Sequence, residues 1–205
     1  MLTTLELRWF AHGTLPTEVK HWFSADCPGD LLGSPEERED LYLYIPDCDY
    51  LNIKLRQGNL EVKWRKAELG ILQVGDDWEG KVEKWLKWSC EDPTQQSMMP
   101  AEVVSKGPWV SVMKERCQRR YSSRTPSGNA ERPSQRQYQG ISYELTQLKV
   151  KNDAWWSIAF EMAVEDDNPI DRLEDIVQQV NKTYRGPELL AKNSYAYPNW
   201  LSFII

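Results

Sequence analysis

The chain has 205 residues, a net charge of −6 and a mean hydropathy of −0.64, and that length can be absorbed by one large barrel without a second core. Its 10 Trp, 9 Tyr and 4 Phe exclude a disordered chain, which would lack the apolar area to offset its ordering entropy. The acidic total excludes a general nucleic-acid or membrane-surface binder, which carries basic excess, and no run of about 18 apolar residues exists to span a bilayer.

Thr4 to Phe10 alternates, with Thr4, Glu6 and Arg8 on one face and Leu5, Leu7 and Trp9 on the other, which predicts a strand packed on one side. Leu15 to Phe23 reads as a short helix, with Pro16 near its start and Val19, Trp22 and Phe23 at helical spacing. Cys27 to Glu39 is turn-rich and acidic, hence a loop. Asp40 to Ile45, Tyr50 to Gln57 and Leu60 to Lys66 are strands. The last two form a hairpin through Gly58-Asn59.

Lys81 to Ser89 predicts another strand, with Val82, Leu86 and Trp88 on one side, though Lys84 interrupts that face. Pro93 to Pro100 is a loop. Pro108 to Tyr121 is a strand with Lys114 and Arg116 opposite Met113 and Cys117, and Ser122 to Gln139 is a polar, mobile loop. Ile141 to Leu148 and Trp155 to Val164 close the set of strands. Asn168-Pro169 then caps a helix with Ile170, Leu173, Ile176, Val177 and Val180 on one face, ending before Gly186-Pro187. Tyr195, Tyr197, Trp200 and Phe203 are expected to cover an open side. The expectation is a single domain over residues 1–205, with the helix and aromatic tail from about 168 to 205 packed on it.

The polar strand faces are unusual. They carry Glu6 and Arg8, then Lys54 and Arg56, then Glu61, Lys63 and Arg65, then Lys114 and Arg116, then Glu144 and Glu161. Lys and Glu are depleted from ordinary strands, so cation pairs recurring at i and i+2 point to one shared surface. From Val110 to Tyr138 seven basic residues face two acidic ones, so that stretch is +5 and the rest of the chain −11. An anion site here is a local concentration of positive charge in an acidic protein. If the sheet closes, Arg forks and Lys point charges converge on one axis, where a polyphosphate satisfies them. The carboxylates can hold a hard cation.

The order of these elements resembles the CYTH, or triphosphate tunnel, superfamily. Thr4-Leu5-Glu6-Leu7-Arg8 matches that family's opening ExExK signature as TxExR. Ile53-Lys54-Leu55-Arg56 with Leu60 to Arg65 resembles its paired basic strands, and Val112 to Arg116 its later K-x-R strand. Tyr143-Glu144-Leu145 and Ala159-Phe160-Glu161 resemble its closing pair. The resemblance implies an α+β fold, an eight-stranded antiparallel β tunnel with flanking helices. It also implies binding of a triphosphate or other polyphosphate compound, with or without metal-dependent hydrolysis. Arg8, Lys54, Arg56, Lys63, Lys114 and Arg116, with Arg65 as a weaker candidate, would grip phosphate. Glu6, Glu144 and Glu161 would hold Mg²⁺ or Mn²⁺. Thr4 and Ala159 stand where the family carries carboxylates, so turnover is expected to be impaired.

The alternatives are a non-catalytic polyanion or nucleotide-binding module, and an interaction protein whose charged faces are solvated surface. No GxSxG, GxxxxGK[ST], HExxH or GxGxxG motif occurs. His12 and His21 belong to no nucleophile constellation. The widely spaced Cys27, Cys48, Cys90 and Cys117 suggest reduced thiols in a cytoplasmic protein. The expected partner is a small polyphosphate, with no nucleic acid and no membrane.

Overall fold

A computed structural model describes residues 1–90, 105–121, 140–164 and 169–205. The loops expected at 93–100 and 122–139, and the cap at Asn168, lie outside the described residues. Among the described residues nine strands are present: β1 (Leu2–His12), β2 (Asp30–Leu31), β3 (Glu36–Leu43), β4 (Leu51–Arg56), β5 (Asn59–Val74), β6 (Trp78–Cys90), β7 (Trp109–Tyr121), β8 (Ile141–Val150) and β9 (Asp153–Ala163). Among the described residues they are accompanied by the α-helices α1 (Thr17–Ala25), α2 (Pro169–Asn181) and α3 (Tyr197–Ile204), with a 3₁₀ turn at Ala191–Asn193.

All strand pairs are antiparallel. The order β7-β3-β4-β5-β6-β1-β9-β8 closes because β8 also pairs with β7. Two-residue β2 continues the edge of β7 that β3 occupies, so the closed ring has eight strands. The expected barrel is present. The β4–β5 hairpin turns through Gln57-Gly58, both at positive φ (49° and 82°), with Asn59 already in β5. That is the type I′ pattern whose twist suits a two-residue hairpin. The turn therefore sits one residue earlier than the sequence suggested.

Closure sends most apolar strand faces outward beneath the helices. Leu5, Leu7 and Trp9 of β1 and Tyr143, Leu145, Ile158 and Phe160 of β8 and β9 pack with Val19, Trp22 and Phe23 of α1 and with Leu173, Ile176, Val177 and Val180 of α2. Ile170 is 37% exposed and lies outside that core. Helix α1 ends on an arginine: Arg119 donates to the carbonyls of Phe23 and Ser24 (2.6 and 2.8 Å) and to that of Gly29. A buried cation there satisfies carbonyls that a helix C-terminus leaves open.

A second core fills one end of the barrel from inside. Phe10, Tyr42, Val112, Leu148 and Val150 continue the inward parity of their strands and close on Tyr197, Trp200 and Leu201 of α3. Phe10 is stacked on Trp200 at 4.9 Å and on Tyr195 at 5.5 Å. The C-terminal segment is thus an apolar plug: Tyr195, Tyr197 and Trp200 cover this end of the barrel, whereas Phe203 is 66% exposed.

Candidate functional site

Beyond the plug the barrel interior is a cavity of about 610 Å³, within the range of small-molecule sites. Strand parity delivers its walls. Thr4, Glu6 and Arg8 come from β1, Lys54 and Arg56 from β4, Lys63 from β5, Lys114 and Arg116 from β7, Glu144 from β8 and Glu161 from β9. Six of the seven cations expected from sequence, and all three carboxylates, therefore meet in one space. Arg65 is not in the lining. It is tied by Asp49, Glu68 and Glu83 at 2.9, 3.1 and 2.8 Å, so its guanidinium is occupied beside the site rather than offered to it.

Eleven Lys and Arg side chains and four Glu line the described cavity. Glu36, Asp40 and Glu61 pair with the same cations from behind the lining. Among the described residues the lining carries more Lys and Arg than Glu. A field of that sign inside low-dielectric walls attracts anions and excludes cations.

The network turns on Asp40, which has no solvent exposure. Its carboxylate takes Arg38 (3.1 Å), Arg56 (3.2 Å) and Lys114 (2.9 Å). Burial disfavours its charge, but Lys114, Lys54, Arg56 and Arg38 outweigh that and hold it well below the usual carboxylate range. Glu144 bridges Arg8 (2.9 Å) and Arg116 (3.4 Å) and is likewise held down against its burial by Arg8, Arg116 and Lys114.

Two lysines show the cost of crowding. Burial and the neighbouring Arg56 push Lys54 well below its ordinary value, with Glu61 and Asp40 only partly offsetting this. Burial brings Lys114 down to about 7 despite Asp40 and Glu144. Lys114 Nζ donates to the hydroxyls of Tyr42 (2.6 Å) and Tyr197 (2.7 Å) and sits 4.0 Å from the Tyr197 ring centre. Arg8 also lies over the Tyr197 ring, at 4.9 Å. The plug thus forms the floor of the cavity.

The carboxylates assigned to a metal are engaged by cations. Lys63 Nζ lies between Glu6 Oε1 (2.6 Å) and Glu161 Oε2 (3.2 Å). Burial opposes the charge of Lys63, but Glu161 and Glu6 outweigh it and raise its pKa. Glu144 holds two arginines, as above. Among the described residues no group of three His, Cys, Asp or Glu gathers closely enough to hold a metal ion. The donor set does not fit Mg²⁺ or Mn²⁺, which want about six oxygens.

Several cavity residues escaped the sequence reading. Glu36 and Arg38 belong to β3, not to a loop, and their inward parity with Asp40 and Tyr42 of the expected strand was the available signal. On β6 the inward face is Lys81, Glu83, Trp85 and Lys87, so Lys84 belongs to the outer face that it interrupts. Trp88 on that outer face is 43% exposed and not core. All four cysteines are free thiols, and no helix among the described residues is long and apolar enough to cross a membrane.

No protein-family model matches the chain, and no curated protein matches it. Eleven solved chains match. One is a Hippeastrum protein proposed as an adenylyl cyclase and described as having a dominant triphosphatase activity. It is 15% identical, covers 88% of each chain and has a TM-score of 0.41.

Proposed function

We propose that the chain is a divergent triphosphate tunnel protein whose barrel holds a triphosphate or other polyphosphate compound, in one domain formed by the barrel and its C-terminal plug. The observation that carries this is the convergence of Arg8, Lys54, Arg56, Lys63, Lys114 and Arg116 on one cavity inside the closed barrel. A polyphosphate matches it because each phosphoryl group brings oxygens that accept from Arg forks and Lys ammonium groups. Lys54 and Lys114 gain most, since an anion replaces the water that their burial removes.

Hydrolysis is expected to be slow. Thr4 and Ala159 supply no carboxylate, and Ala159 lies opposite both Arg8 and Glu144 in the sheet. What remains at the centre is an anion clamp without the fixed oxygens that position an attacking water through a metal.

The test is thermal unfolding with tripolyphosphate. At 100 times its Kd the ligand adds about 2.7 kcal/mol, and the Arg8→Met, Arg56→Met double variant is expected to lose the shift. Phosphate release should stay well under about 1 per second, the low end of ordinary enzymes. Stabilisation no greater than that from equimolar sulfate would remove the reading in favour of an interaction protein.

A further inference from the structure

Glu83, Glu6 and Glu161 stand side by side across β6, β1 and β9, as directly paired residues. Adjacent carboxylates on one sheet face repel unless something between them is positive or they are drawn apart. Glu83 is drawn off: its Oε1 accepts from Arg65 (2.8 Å) and its Oε2 from the Trp85 indole (3.0 Å). Glu6 and Glu161 remain, and the ammonium that joins them comes from β5, on the far side of β6.

The details favour an ammonium over a metal ion. Glu6 Oε1 accepts both from Lys63 (2.6 Å) and from the Thr4 hydroxyl (2.9 Å), which uses both lone pairs of that oxygen. Thr4 therefore does more than withhold a ligand, because it helps turn its neighbour toward the lysine. A divalent ion at this place would have two carboxylates, with one Glu6 oxygen already accepting from Thr4, whereas magnesium demands a near-octahedral oxygen set. An ammonium has three protons and finds acceptors here for two.

We propose that Lys63 is the resident cation of this site, standing where Glu6 and Glu161 would otherwise hold a divalent ion, so that the chain takes its polyphosphate without a metal. The third proton of Lys63 serves a phosphoryl oxygen in the cavity that the side chain lines. The metal-free binding rests on the polyphosphate reading; the lysine's place between the two glutamates does not.

Two measurements on the full chain separate these parts. The first follows free Mn²⁺ by its EPR signal with no phosphate present. The unmodified chain is expected to leave the ion free at concentrations on the order of 10⁻⁴ M. Lys63→Ala is expected to bind one ion at least about tenfold more tightly, and Glu161→Gln on that background to lose it. Lys63→Met, which keeps the length of the side chain, serves if the alanine variant fails to fold. Mn²⁺ binding by the unmodified chain that disappears in Glu161→Gln overturns the assignment. The second titrates tripolyphosphate calorimetrically in EDTA and again in excess Mg²⁺. The two Kd values are expected within about threefold, and binding seen only with Mg²⁺ overturns the metal-free part. Binding in neither medium removes the polyphosphate reading, while the Mn²⁺ measurement still decides what Lys63 does.

Discussion

From Arg8 to Phe10 on β1, from Asp40 to Tyr42 on β3 and from Lys114 to Val112 on β7, one inward step of two residues passes from a charge to a buried ring or aliphatic chain. The two ends of the interior are thus walled by the same strands and held by different forces. The plugged end is held by packing and excludes water. The charged end lies against that dry wall, so each charge there needs a partner to offset its desolvation. Asp40 and Lys114 stand next to the plug, and burial there pushes Lys114 down, whereas Lys63 is held up by Glu161 and Glu6 against its own burial.

One change at each end should give the largest effects. Asp40→Ala leaves Arg38, Arg56 and Lys114 buried beside one another without their shared counter-charge, and removing one partner of such a cluster costs about 3–5 kcal/mol. Trp200→Ala empties the centre of the plug, where Phe10 and Trp155 close on it, for a similar loss of about 3–5 kcal/mol. What separates the ends is rescue. Tripolyphosphate should restore much of the stability of Asp40→Ala, since it supplies the missing negative charge, and should do no more for Trp200→Ala than for the unmodified chain. Urea unfolding with and without the ligand checks both. Equal rescue at the two ends would mean that they are not energetically distinct.

The charged end was more legible in the sequence than the plug, for a physical reason. Strand parity has a period of two, so once Leu5, Leu7 and Trp9 declare one face, Glu6 and Arg8 must share the other. The same logic placed Lys54, Lys63, Lys114, Glu144 and Glu161 on one wall. It failed where no apolar residue marked the outer face. Glu36 to Asp40 is a run of five charged residues of which the first four read as a loop, yet Glu36 and Arg38 turn inward with Asp40. The strand residues that receive the plug were hidden differently. Phe10, Val112 and Leu148 sit on the charged face of their own strands, and only the return of the C-terminal helix gives them something to pack on. The length of the β5–β6 ribbon was also hidden, because bulges near Lys66 and between Glu68 and Ile71 break its alternation.

The next effect in size is a proton taken up with the ligand. Burial holds Lys114 at about 7, so near neutral pH a good part of it is uncharged in the empty barrel. An anion in the cavity favours the charged form and raises that pKa. The bound state then carries more protons than the free one, and affinity falls as pH rises above about 7, by at most about tenfold per pH unit for one proton. The sign for folding is the opposite of the familiar lysine ion pair. The unfolded chain binds this proton more tightly, so between about 7 and the ordinary lysine value near 10.5 this group adds stability as pH rises. Calorimetry of tripolyphosphate binding in buffers of different ionisation enthalpy counts the proton directly, and Lys114→Met should abolish it. A flat affinity from pH 6.5 to 8.5 would show that Lys114 is not sensed by the ligand.

The smallest effect probes the boundary between the two ends. Tyr197 belongs to both: its ring stacks on Tyr42 at 4.7 Å within the plug, and its hydroxyl accepts from Lys114 in the cavity. Tyr197→Phe keeps the ring, its stacking and its place beneath Arg8 and Lys114, and deletes one hydrogen-bond acceptor. Lys114 retains Asp40 and the Tyr42 hydroxyl, so the loss of stability should be about 1 kcal/mol, the size of one hydrogen bond. The charged ammonium loses more than the neutral amine does, because its donated bond is the stronger one. The pH at which tripolyphosphate affinity begins to fall should therefore move to a lower value in Tyr197→Phe, while Tyr195→Phe leaves it in place. A loss of several kcal/mol would show that the substitution had disturbed the plug itself. An unmoved pH profile would show that the plug only seals the cavity and does not tune its lysine.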